Sequence, residues 1–180
     1  TLAKASPGKS NYATSGVGTV LQLAMELVKQ REGLFVTHVP YRGGAQIATD
    51  VIGNQIDLAM LVSTSAIPHV TGGRLKALGV TSATRLGALP QVPAFGEQPG
   101  LKGYSMLSWT GIFAPAKTPA PIVQKLNEEL NAVLQEPEVR AKLVEQGALP
   151  GSGSPEDLGR FVQAEFVRNQ KIVQTANIKE

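Results

Sequence analysis

Through its first hundred residues the chain alternates short apolar runs with amphipathic ones, and that rhythm constrains the fold more than any other feature. Leu2–Ser6 reads as the end of an incoming helix, closed by Pro7-Gly8, and Asn11–Ala13 as a short strand. From Thr19 to Gln30 the apolar residues Val20, Leu23, Ala24, Leu27 and Val28 fall on one face of a helix, with Gly33 as its stop. Phe35–Val39 reads as a buried strand ended by Pro40, and Ala45–Ile52 as a helix that leaves at Gly53-Asn54. Ile56–Val62 is a second apolar strand, Ser63–Val70 a short helix or turn, and Leu75–Thr81 a third strand after Gly72-Gly73. A β-α-β-α-β succession predicts the α/β class, a mostly parallel sheet covered by helices.

The remainder changes character. Residues 82–103, broken by Pro90, Pro93 and Pro99, read as a long irregular connection, which in a compact domain marks function or a boundary. Ser105–Ala114 reads as a strand holding the only tryptophan, Trp109. Thr118-Pro119 supplies a helix cap and first-turn proline for a helix that shows Ile122, Leu126, Leu130, Val133 and Leu134 on one face. Pro137–Gln146 is a second helix, stopped by Gly147. Ser154-Pro155-Glu156-Asp157 caps a third, with Leu158, Phe161, Val162, Phe166 and Ile172 at helical spacing. No internal repeat or low-complexity tract interrupts this order. Two units follow: an α/β lobe over 1–105 and a strand-plus-helices segment over 106–180.

Composition narrows the function classes. With 180 residues, 42% hydrophobic and 17% charged, the chain has the balance of a soluble globular protein able to bury a substantial core. It has no cysteine, which removes disulfides and thiolate metal sites and leaves the redox compartment open. No run reaches the length of a membrane span. The net charge is +3, and residues 1–105 carry 9 basic against 5 acidic groups, a mild positive bias on the half that holds the glycine loops. Such a field attracts organic anions, and equally suits ordinary surface lysines. With 5% aromatics and no basic stripe, nucleic acid is not an expected partner.

The candidate chemistry lies in two loops. Tyr12-Ala-Thr-Ser-Gly-Val-Gly-Thr19 precedes a helix; Gly16 and Gly18 can take angles other residues avoid, and Ser15 and Thr19 can cap the first turn or hold a ligand oxygen. Exposed N–H groups there, including that of Val17, and the helix dipole favour a carboxylate or phosphate. Pro40-Tyr-Arg-Gly-Gly-Ala45 repeats the idea: Tyr41 is a candidate pocket wall, Arg42 a weaker candidate ligand, and Gly43, Gly44 and Ala45 offer N–H groups that open the next helix. Ser63, Thr64 and Ser65 follow a strand at the edge where open α/β sheets bind ligands; they either cap a helix or touch solute. Asp57 reads as a structural acceptor. His38 and His69 lack partners at metal spacing and read as structural, so no metal or cofactor is expected. The rival reading is a small hydrolase or transferase using Ser15 with His69 and Asp57, although no Gly-x-Ser-x-Gly elbow surrounds Ser15.

Several ordered stretches together match one family. They are Asn11–Thr19, His38-Val-Pro-Tyr-Arg-Gly-Gly-Ala45, Gln55-Ile-Asp-Leu58, Pro68-His-Val-Thr-Gly-Gly-Arg-Leu75, Leu78-Gly-Val-Thr-Ser82, Leu89-Pro-Gln-Val-Pro93, Trp109-Thr-Gly-Ile-Phe-Ala-Pro115 and Thr118-Pro-Ala-Pro-Ile-Val123. The chain resembles the extracytoplasmic solute receptors of tripartite tricarboxylate transporters, the Bug family. The resemblance implies a periplasmic binding protein of type II-like lobes that closes on a small organic carboxylate and delivers it to membrane permease subunits, with no catalysis. It assigns ligand contacts to Ser15, Gly16, Val17, Gly18, Thr19, Tyr41, Gly43, Gly44, Ala45, Ser63 and Thr64. Family chains are longer, with a further N-terminal lobe, so this chain is expected to be a fragment: residues 1–105 the second lobe, and 106–180 the segment returning to the first. An apolar face left over on 106–180 invites a homodimer. Many relatives carry an Asp shortly after the pair aligned with Asp57-Leu58, where this chain has Leu61, which implies a different or less polar solute.

Overall fold

The computed structural model describes Lys4 and residues 7–178. The expected helix end over Leu2–Ser6 lies outside the described residues apart from Lys4, which is helical. Three short parallel strands, β1 (Asn11–Thr14), β2 (Thr37–Pro40) and β3 (Leu58–Ala59), lie in the order β2-β1-β3. Helices α1 (Val20–Glu32), α2 (Gly44–Ile52) and α3 (Ser63–Thr71) follow them in turn. The α/β class and the parallel sheet are as the alternation predicts.

Alternation along β1 builds two cores. Tyr12, fully buried, faces α1 and joins Leu23, Ala24, Val28, Tyr104 and Met106. Its neighbour Ala13 faces the other way, onto Ile47 of α2 and Ile56. The first core also takes Ile172 from the C-terminal helix, so 106–180 is tied into the lobe at that end. That half holds α4 (Ala120–Gln135), α5 (Pro137–Glu145) and α6 (Pro155–Ala176). Ser154 caps α6 as expected: its hydroxyl accepts from the Asp157 N–H while the Asp157 carboxylate accepts from the Ser154 N–H.

Five expectations need correction. The strand expected over Phe35–Val39 begins at Thr37, and Phe35 is 68% exposed. Register is the reason: β1 starts at Asn11, which pairs with Thr37, and before it the Phe35 carbonyl meets only the Gly8 N–H, at 2.9 Å, in the turn that precedes β1. The strand expected over Ile56–Val62 shrinks to Leu58–Ala59, plus the Met60 N–H donated to the Ala13 carbonyl. Leu75–Thr81 makes no strand; only Val80 bridges, to Ala94, and Leu78 is exposed. Over Ser105–Ala114 only the Met106 N–H finds a sheet-like partner, the Thr81 carbonyl, and no strand lies beside the rest among the described residues. An apolar run sets a preference for extended backbone, but a strand needs a partner chain. The cap of α4 also shifts by one: Pro119 is the N-cap, and Pro121 stands in the first turn, where its missing N–H costs nothing.

Candidate functional site

Because all three strands are parallel, the loops after β1, β2 and β3 leave the sheet at one edge. Three helix N-termini are gathered there, at Thr19, Gly43 and Val62. This is the carboxyl edge, where open α/β sheets take ligands. The two glycine loops stand on adjacent strands: Thr14 pairs with Pro40, and the Tyr41 N–H donates to the Thr14 carbonyl at 2.8 Å.

The first loop is braced from within. Gly16 (φ 139°) and Gly18 (φ 73°) both occupy backbone space that disfavours side chains. The Thr19 hydroxyl donates to the Gly16 carbonyl at 2.9 Å and accepts from the Gln22 N–H, so its proton is committed to the loop. The Gly18 N–H is also taken, by the Gln22 amide oxygen at 2.7 Å. Gln22 is buried, and sequence reasoning missed it; Thr19-x-x-Gln22 has the spacing of a capping box, which was the available signal. Among the described residues, no protein acceptor takes the N–H of Ser15, Val17 or Thr19, and none takes the Ser15 hydroxyl. Thus Ser15, Val17 and Thr19 keep free main-chain donors, while Gly16 and Gly18 shape the turn.

The second loop differs. Gly43 is extended (φ −179°), a conformation open to any residue. Glycine matters instead at Gly44, where an added Cβ would stand 3.1 Å from the Ser65 hydroxyl oxygen and 3.6 Å from a Leu61 methyl. Gly44 and Ala45 open α2, so their N–H groups point out of its first turn. Tyr41 donates its hydroxyl to Asp50 at 2.7 Å, and this bond, with burial behind it, pushes the phenol pKa up. Tyr41 packs against the second core, and its hydroxyl proton is committed to Asp50. Arg42 is exposed.

The third loop splits its hydroxyls. Ser63 donates to the Gly147 carbonyl at 3.1 Å, joining α3 to the α5–α6 connection, so its proton is not free for a solute. Thr64 is exposed, and Ser65 faces Gly44. Leu61 belongs to the second core and floors the gap between α2 and α3.

The serine-hydrolase grouping is not assembled. Asp57 exchanges hydrogen bonds with Asn11, its carboxylate accepting the Asn11 N–H and its own N–H reaching the Asn11 side chain, both at 2.9 Å. That pins it at the amino end of β1, opposite Ser15, as a structural acceptor. His69 lies in the last turn of α3.

A wider space, about 2400 Å³, opens between the lobe and the 106–180 half, lined by Val20, Leu21 and Ser63 on one side and by Trp109, Ile112 and Phe161 on the other. It exceeds the few hundred to ~1,000 Å³ of small-molecule sites, and its walls are mainly apolar side chains.

The comparisons agree on one relationship. Residues 1–178 match the tripartite tricarboxylate transporter family receptor. A UPF0065 protein in the tcbD-tcbE intergenic region of a Pseudomonas species is 37% identical over 171 residues, covering 95% of this chain and 51% of that protein. Protein BugT of Bordetella pertussis is 28% identical, covering 98% of this chain and 54% of its own length. The chain therefore spans about half the length of the curated relatives it matches. Among solved structures, R. palustris Rpa4515 with adipate superposes with a TM-score of 0.91 at 36% identity over 98% of this chain and 59% of that one. MatC from Rhodopseudomonas palustris with bound malate gives 0.81 at 28%, over 96% and 59%. The periplasmic binding protein BugD gives 0.81 at 27%, over 98% and 60%. The fold is that of these solved structures, and the chain belongs to the tripartite tricarboxylate transporter receptor family.

Proposed function

We propose that this chain supplies one lobe of a periplasmic solute receptor. The receptor captures a small carboxylate and hands it to the membrane subunits of a tripartite transporter, without chemical conversion. The observation that carries the reading is the gathering of three helix N-termini, with uncommitted N–H groups, at one sheet edge. Every such donor is uncharged. A carboxylate held there exchanges water for amides already fixed in direction, and the helix dipoles favour its charge. Ser15, Val17 and Thr19 contribute main-chain donors from the first loop, Gly44 and Ala45 from the second. Gly16, Gly18 and Gly43 shape the loops, Tyr41 walls the site, and Thr64 sits at its rim. Ser63 serves as a tether, and the Ser65 hydroxyl takes the contact that a sequence reading gives to Ser63.

The apolar Leu61 beside Gly44 favours a dicarboxylate with an unsubstituted chain over a hydroxy acid. The relative bound to adipate and the relative bound to malate frame that choice. We further propose that residues 1–105 act as a lobe and that 106–180 returns to a second lobe in the longer protein, with the large apolar space as their common seam. A second copy of the chain is the competing cover for that seam.

Calorimetry on the full-length protein tests the site. Gly44→Pro keeps first-turn geometry and deletes one amide donor, whereas Gly44→Ala adds only the Cβ. Adipate affinity is expected to fall at least tenfold in Gly44→Pro and less in Gly44→Ala. Equal affinity in the wild type and Gly44→Pro rejects the site.

A further inference from the structure

Behind the first loop lies a polar cluster that carboxylate capture does not itself require. Tyr12 and His38 are in register on β1 and β2, so their side chains share the face toward α1, with ring centroids 5.0 Å apart. His38 Nε2 lies 2.7 Å from the Thr14 hydroxyl, and Thr14 is fully buried at the root of the loop. That hydroxyl lies 3.0 Å from the Gly16 carbonyl, which also receives the Thr19 hydroxyl. Thr14 has one proton to give. Directed at Gly16, it leaves the oxygen to accept, so the hydrogen between Thr14 and His38 sits on Nε2. No protein partner among the described residues holds Nδ1.

The charged groups facing this cluster come from α1. Glu26 accepts the Tyr12 hydroxyl at 2.6 Å and Lys29 at 2.7 Å, and Lys29 also lies over the Tyr12 ring. From β1 the facing titratable group is Tyr12 itself, whose phenol is pushed far up by burial and by Glu26, so it stays neutral.

We propose that His38 is a positioning residue for the carboxylate loop: its Nε2–H holds Thr14, Thr14 holds the Gly16 carbonyl, and a second proton on the imidazole tightens capture of an anion beyond that loop. The inference rests on the carboxylate reading. The Nε2–H to Thr14 bond is the same in neutral and protonated His38, so protonation adds charge without rearranging the loop. Burial holds the imidazole pKa below its usual value; Glu26 opposes that shift and Lys29 adds to it. The free receptor is therefore neutral at His38 near pH 7. An anion nearby raises the pKa, and by reciprocity a lower pH raises anion affinity.

The test compares wild type with His38→Gln, whose amide can keep the hydrogen bond to Thr14 but cannot titrate. Adipate affinity is measured on the full-length receptor from pH 8 to 5.5, and the ratio of the two affinities removes the titration of adipate itself. The ratio is expected near one at pH 8 and to rise in favour of wild type as the pH falls, toward a limit of about fivefold below the His38 pKa. A second readout needs no variant: the His38 ring, followed by NMR, should titrate about 0.7 pH units higher when saturated with adipate, the same fivefold by linkage. Binding with a flat ratio, or a His38 titration unmoved by adipate, overturns the proposal alone. Absence of adipate and malate binding at every pH overturns the carboxylate reading and the proposal together.

Discussion

The Gln22 amide oxygen takes the Gly18 N–H at 2.7 Å while the main-chain N–H of Gln22 rests on the Thr19 hydroxyl, so one buried residue closes the turn with its side chain and its backbone. Gln22→Leu keeps the volume and strands the Gly18 donor. It should destabilise the protein by about 1–2 kcal/mol, read as a lowered urea midpoint at unchanged slope. A wild-type midpoint in Gln22→Leu would remove the brace. A second residue pair supplies a pH dependence. Arg85 and the Ala94 N–H hold the Glu97 carboxyl down at about 2. A depressed carboxylate adds stability above its unfolded value and loses it as acid reaches the folded one. The difference in Tm between wild type and Glu97→Gln should therefore be present at pH 6 and shrink between about pH 4.5 and 2. Glu97 is exposed, so the effect is small and salt-sensitive. A difference that does not change with pH excludes the ion pair as its source.

Among the elements, helices were more legible than strands. Helix α1 was readable because Val20, Leu23, Ala24, Leu27 and Val28 repeat at helical spacing between a Thr cap and a Gly stop, all of it local information. Helix α6 was readable for the same reason. The strand readings failed wherever pairing was long-range: Leu78 and Phe113 stand in apolar runs, yet no neighbouring strand receives them among the described residues. In the site, positive φ at Gly16 and Gly18 was foreseeable, whereas the commitment of Ser63 to Gly147, 84 residues on, was not. Helix α6 makes a testable case. Its N-terminus is held by the reciprocal Ser154–Asp157 cap, its C-terminal half by Ile172 in the first core. Ser154→Ala should cost about 1 kcal/mol and Ile172→Ala about 3 kcal/mol, measured by denaturant titration. Equal costs would mean that α6 is anchored at its cap rather than by its packing.

Across the whole molecule, apolar exposure divides unevenly. On 106–180, Ile112 and Phe113 are 70% and 67% exposed, and Phe166 and Val167 of α6 are 60% and 57% exposed. Ile112 and Phe113 line the large space beside Trp109, and the 107–114 backbone has no strand partner among the described residues. An extended segment with apolar side chains and free backbone donors is what a sheet edge recruits. The chain spans about half the length of relatives such as BugT, and the second lobe proposed above would offer such an edge within one molecule. Hydrogen exchange distinguishes the sources of cover. In the full-length protein the amides of 107–114 should be protected at least a hundredfold over the same residues in this chain alone at low concentration. If protection instead appears in the short chain as its concentration rises, with light scattering reporting a dimer, the cover is a second copy and the seam is an interface between protomers. Rapid exchange of 107–114 in the full-length protein excludes both, because neither a second lobe nor a partner would then be pairing with that backbone.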